Sequence, residues 1–168
     1  MKFSEFKYER PNYEENKERF VEIVRKIHKS STYKEQKEYI QELNKLRNNI
    51  ETMYTICSIR NSINTEDKFY EEETNYWDEY SPLYEELNSL FYKEVVNSKF
   101  KKNLELDYGK QFVSICEYSL KSFSSDIIND LQEENKLCSE YTKLLASAKI
   151  DFEGEVRNLS GLGPFMLS

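Results

Sequence analysis

The sequence predicts a mainly α-helical fold: an elongated bundle of about six helices, of which the second, third and sixth are long, followed by a short C-terminal β-hairpin. Three observations predict it. Apolar residues recur every three or four positions through most of the 168 residues, the spacing of one helix face. The recurrence pauses at short polar clusters that read as caps, Ser30-Ser31-Thr32, Asn64-Thr65 and Ser124-Ser125. Only 4 Gly and 3 Pro are present, too few for the tight turns of a β-sandwich or barrel or for a glycine-rich phosphate loop. The 13 Tyr and 10 Phe argue against disorder. A chain of this length suits one domain that hides about 70% of its unfolded surface.

Helix one is predicted over 13–29. Asn12 serves as N-cap, Glu14 and Glu15 complement the dipole, and Phe20, Ile23, Val24 and Ile27 make the buried face. Thr32 and Glu35 form a capping box that opens helix two. Its stripe runs through Tyr39, Ile40, Leu43, Leu46, Ile50, Met53, Tyr54 and Cys57, and a helix over 33–60 is about 42 Å long at 1.5 Å per residue.

Helix three is expected to start from the Asn64-Thr65 cap and to reach about residue 96. Tyr70, Trp77, Tyr84 and Phe91 fall seven apart, and Phe69, Tyr76, Leu83 and Leu90 form a second row beside them. This band is wider than the seam of a two-stranded coiled coil, so the helix is expected to touch more than one neighbour. Pro82 lies inside it, in phase with the pattern, and predicts a kink.

A short basic helix starts at Ser98 and ends before Gly109. The next carries Phe112, Ile115, Cys116, Leu120 and Phe123. The last long helix, 125–148, has Ile128, Leu131, Cys138, Tyr141, Leu145 and Ala148 on its stripe, interrupted by Asn135. Beyond Lys149 the period changes to two: Ile150 and Phe152 alternate with acids, and Gly154 supplies a turn, which reads as a hairpin. The chain therefore divides into a helical unit, 1–149, and a hairpin with the start of a connection, 150–168. Leu162, Phe165, Met166 and Leu167 form an apolar end that a further part of a longer protein is expected to cover.

The 31 acids outnumber the 24 bases, giving a net charge of −7, and no positive field exists to attract nucleic acid or anionic lipid. The first ten residues lack the apolar core of a signal peptide, and no apolar run approaches 18 residues, so a cytoplasmic protein is expected. Cys57, Cys116 and Cys138 fit neither a disulfide framework nor a zinc knuckle and read as small buried apolar residues.

Chemistry is sparse. Catalytic zinc needs three protein ligands, usually imidazoles, and His28 is the one histidine, placed in the last turn of helix one where it suits the helix C-terminus. No nucleophile elbow, phosphate loop or dinucleotide fingerprint occurs. The acidic pairs sit on adjacent helix positions about 100° apart and read as solvated faces, as does the small basic patch Lys99, Lys101 and Lys102. Glu73 alone falls within an apolar pattern, as a buried partner of Arg47 or Arg60 or as a rim residue. No catalytic, cofactor-binding or metal-binding residue is assigned in this chain.

Longer strings carry a resemblance. Phe6-Lys7-Tyr8-Glu9-Arg10-Pro11, then Leu46-Arg47-Asn48-Asn49-Ile50-Glu51-Thr52-Met53-Tyr54 and Ser58-Ile59-Arg60-Asn61-Ser62-Ile63-Asn64-Thr65 are similar to the N-terminal half of bacterial oligoendopeptidase F. So are Phe69-Tyr70-Glu71, Ser81-Pro82-Leu83, Leu131-Gln132-Glu133-Glu134-Asn135-Lys136-Leu137, Tyr141-Thr142-Lys143-Leu144 and Leu159-Ser160-Gly161-Leu162-Gly163-Pro164-Phe165-Met166. The resemblance implies the N-terminal helical part of a zinc metalloendopeptidase, related to thimet oligopeptidase, that cuts short peptides in a deep cleft. In that family an H-E-x-x-H helix and a later glutamate hold the zinc. This sequence carries no such motif, so no zinc or catalytic residue transfers to a numbered position.

The resemblance also gives the wide aromatic band a use. Tyr70, Trp77, Tyr84 and Phe91, or the adjacent Phe69 and Tyr76, are expected to contact a catalytic half. The competing reading is a complete helical adaptor whose aromatic band binds another protein, with no zinc and no missing half.

Overall fold

The structure, a computed structural model, describes residues 2–165. Its α-helices are α1 (Tyr13–Lys29), α2 (Tyr33–Ile63), α3 (Lys68–Val96), α4 (Lys101–Tyr108), α5 (Lys110–Ser122) and α6 (Ile128–Ser147). A two-stranded antiparallel hairpin follows, β1 (Ile150–Phe152) with β2 (Glu155–Arg157), in the register Ile150 with Arg157 and Phe152 with Glu155. Met166 and Leu167 of the expected apolar end lie outside the described residues.

Local chemistry sets most boundaries. The Asn12 carboxamide accepts from the Glu15 amide and starts α1. Thr32 and Glu35 form the reciprocal capping box that starts α2. Helix α3 begins later than expected because Asp67, rather than Asn64 or Thr65, is its N-cap, accepting from the amides of Phe69 and Tyr70. Asn64 instead ends α2. Gly109, at φ 86°, separates α4 from α5, and Glu153 and Gly154, at φ 54° and 80°, make the primed turn whose twist suits a two-residue hairpin.

Helix α3 is the hub. It packs against α1, α2, α5 and α6 and touches α4. The core that it organises contains Phe20, Ile23 and Ile27 of α1, Ile40 and Leu43 of α2, and Trp77, Tyr84, Leu87, Phe91 and Val95 of α3. Cys57 and Cys116 are buried as expected, whereas Cys138 is exposed; all three are free thiols. That correction follows from α6 as a whole, none of whose twenty residues is buried. His28 lies at the solvated end of α1, with Nδ1 2.9 Å from Glu94 Oε2.

Helix α3 is continuous through Pro82. Proline has no N–H for the carbonyl four residues earlier, that of Asp78, and its ring crowds the preceding turn. The freed carbonyl is answered from α6: Asn135 Nδ2 donates to Asp78 O at 3.2 Å and to Ser81 Oγ at 3.2 Å, while Gln132 Nε2 donates to the neighbouring Glu79 O at 2.6 Å. The residue that interrupts the apolar stripe of α6 thus compensates the residue that interrupts α3.

Candidate functional site

Glu73, the acid singled out by its apolar setting, is 4% exposed. Its partner is Arg10, not Arg47 or Arg60. The guanidinium grips both carboxylate oxygens, Nη2 to Oε1 at 2.5 Å and Nε to Oε2 at 2.9 Å, and the Tyr8 hydroxyl donates to Oε2 at 2.6 Å. Trp77 Nε1 donates in turn to the Tyr8 hydroxyl at 3.2 Å. Burial pushes the Glu73 carboxyl up, but the hydrogen bonds from Arg10 and Tyr8 together outweigh it and hold the group below its ordinary value. Burial, then the Glu73 contact, raises the Tyr8 phenol strongly. Arg47 serves elsewhere, donating to Asn88 and Tyr92, and Arg60 reaches the Tyr70 hydroxyl and the Phe6 carbonyl. The chain before α1 is therefore fastened across α3 by a fully paired polar network.

On another side of α3 lies a groove walled by α2 and α6. Its wider part encloses about 770 Å³ and an adjoining part about 350 Å³, the two meeting at Tyr54, Trp77 and Asn135. Tyr54 is 47% exposed and meets Trp77 edge to face at 5.4 Å between centroids. Asp78 sits in the floor with Oδ2 lacking a hydrogen-bond partner; burial raises its carboxyl, opposed by Ser139 and Lys136. One end is closed by Glu71, which binds Lys143 of α6 and Lys68, pairings that hold its carboxyl down to about 2.

The groove offers an aromatic ledge and hydroxyl and amide groups from Asn61, Thr74 and Ser139, with the Asp78 Oδ2 atom buried beneath them. It can hold a polar extended chain. It contains no nucleophile beside an imidazole base, since His28 lines neither part. Among the described residues, no three His, Cys, Asp or Glu side chains come together to hold a metal ion, so a zinc ion has no donor set here.

Of the residues expected to face a further domain, Trp77, Tyr84 and Phe91 are 3%, 6% and 0% exposed. They are covered by this chain's own helices, because α3 has neighbours on most sides and the seven-residue row points at them. Tyr70 is half-buried and Phe69, in the adjacent row, is 52% exposed. Tyr8, Arg10, Gln132 and Asn135 were not singled out as paired residues by the sequence; the proline in α3 and the polar break in α6 are the signals that join the last two.

The profile described as Peptidase M3 N-terminal domain matches residues 3–123. The chain belongs to the peptidase M3 family. Its M3 N-terminal match covers α1 to α5 and ends just after α5. Solved structures resemble the M3 chain over nearly all its length. One, PZ peptidase A with an inhibitor, has 49% identity and a TM-score of 0.95 over 99% of this chain and 30% of its own. Another, a protein assigned as oligoendopeptidase F from Bacillus anthracis str. Ames, has 46% identity, a TM-score of 0.95 and the same coverage. This M3 chain thus spans about a third of the length of the structures that it matches. No match is found among curated proteins. No described helix is long and apolar enough to cross a membrane.

Proposed function

We propose that this chain is the N-terminal helical part of a cytoplasmic zinc metalloendopeptidase of the oligoendopeptidase F type, which hydrolyses short peptides. Residues 1–149 form a wall of the substrate cleft, and residues 150–168 start the connection to the catalytic half. The observation that carries this reading is the similarity to PZ peptidase A at 49% identity, extending over 99% of this chain but 30% of that one.

The reaction needs a polarised water and a Lewis acid, and among the described residues no metal donor set comes together. Zinc and its ligands accordingly belong to the rest of the polypeptide, and the piece is inactive alone. What this chain contributes is shape and polar contact: a rigid hub helix, an aromatic ledge and a groove that fits an extended strand better than a folded surface.

Cleavage measured side by side on a quenched oligopeptide and on the same sequence inside a folded protein tests the proposal. The full-length polypeptide is expected to cut the free peptide and spare the folded one, while residues 1–168 alone cut neither. Cleavage of neither substrate by the full-length polypeptide contradicts it.

A further inference from the structure

The unusual feature of α6 is the way it is turned. Its inner face meets α3 through half-buried Ile128 and Leu131 together with polar groups: Gln132 and Asn135 bind carbonyls in the turn before Pro82, and Lys143 pairs with Glu71. Its apolar residues Leu137, Tyr141 and Leu144 follow one another at i, i+4 and i+7, and they are 55%, 62% and 67% exposed. A surface helix normally carries one apolar face, turned inward, and polar residues outside it. Isolated exposed leucines need no explanation, but three aligned apolar side chains on a helix without one buried residue form a face that a partner covers.

We infer that the outward face of α6, centred on Leu137, Tyr141 and Leu144, is the seat of the polypeptide that makes up the rest of the enzyme, an inference that rests on the peptidase reading above. Two observations choose this occupant. The similar structures align with this chain across 99% of its length, so α6 is kept in chains that carry more than twice as many further residues. The matched M3 N-terminal region ends at residue 123, before α6 starts. The helix is held on the N-terminal bundle by a mixed apolar and polar face and offers a second apolar row to what lies beyond, the pattern of an element shared between two units. The N-terminal half of the same surface carries Asp130, Glu133 and Glu134 beside Leu137 and Tyr141. The covering surface is therefore apolar, with basic side chains facing these acids.

Cys138 is a built-in reporter, exposed next to Leu137, while Cys57 and Cys116 are buried and serve as internal controls. Maleimide labelling mapped by mass spectrometry is expected to modify Cys138 rapidly in residues 1–168. In the full-length polypeptide it is expected to be at least tenfold slower. Leu144→Glu restores fast labelling there, with Cys57 and Cys116 still unmodified and the melting temperature of residues 1–168 unchanged. Equal Cys138 rates in the short and full-length polypeptides overturn the inference, as does a gene product that ends at Ser168 with Cys138 freely labelled. Peptide hydrolysis on the same samples separates the two claims: cleavage with a reactive Cys138 removes only the docking face, and protection without cleavage removes only the peptidase reading.

Discussion

Asn135 on α6 donates to the main-chain carbonyl of Asp78 on α3 at 3.2 Å, and that carbonyl is the one left without a helical donor by Pro82. Two departures from helical pattern, 53 residues apart in sequence, thus satisfy each other. A buried polar group costs free energy only when its partner is removed, so the pair fixes where α6 docks along α3.

Replacing Asn135 with Ala is expected to lower stability by about 1–2 kcal/mol, because it removes two hydrogen bonds and strands a half-buried carbonyl. In a Pro82→Ala background, residue 82 regains its N–H and supplies that carbonyl itself, so the Asn135→Ala cost shrinks by about 1 kcal/mol. A double-mutant cycle by urea denaturation, with hydrogen exchange to follow α6, measures this coupling. Additive costs contradict the pairing.

Glu73→Gln is expected to cost about 2 kcal/mol at pH 7, the low end for breaking a buried charged pair, because the Arg10 side chain is 48% exposed. The lowered carboxyl also gives a sign in pH. Its contribution is complete above the ordinary value of 4.5 and is lost as pH falls through the lower folded value. Denaturation midpoints between pH 6 and pH 2 are expected to fall less steeply in Glu73→Gln than in the native chain.

Asp78 has the opposite sign. Its raised carboxyl means that the folded chain holds the proton more tightly, so its contribution declines as pH rises from 3.8 through the folded value. Asp78→Asn is expected to raise stability at pH 7 and to flatten this decline, as measured by urea denaturation across pH 3–8. A loss of stability at neutral pH would show that the carboxylate is needed in ionised form.

The aromatic rows on α3 differ sharply in energetic weight. Phe91→Ala leaves a cavity in the centre of the core and is expected to cost about 3–5 kcal/mol. Phe69→Ala, in the exposed row, is expected to change stability by less than about 0.5 kcal/mol. Thermal or urea unfolding of the two variants distinguishes them directly.

The elements were legible where the determinant is local. Asn12, and Thr32 with Glu35, announce the starts of α1 and α2 within four residues of chain, and the structure places both helices there. Pairings across the fold were not legible: nothing within a few residues of Glu73 reveals that Arg10, 63 positions away, closes on it. The orientation of α6 was hidden for a different reason. Apolar residues lie on two of its sides, Ile128 and Leu131 on one and Leu137, Tyr141 and Leu144 on the other, and periodicity says which residues share a face but not which face meets α3. The same ambiguity assigned Trp77, Tyr84 and Phe91 to an outer contact when the chain's own helices cover them. The groove between α2 and α6 is a product of that docking, so no short stretch of sequence encodes it.

The most direct measurement is hydrolysis of a quenched oligopeptide by the full-length polypeptide, before and after treatment with a zinc chelator and again after zinc is returned. Cleavage is expected to disappear on chelation and to come back with zinc, with residues 1–168 alone inactive throughout. A full-length polypeptide that leaves the peptide intact under all three conditions would contradict this expectation and restore a helical adaptor as the better reading.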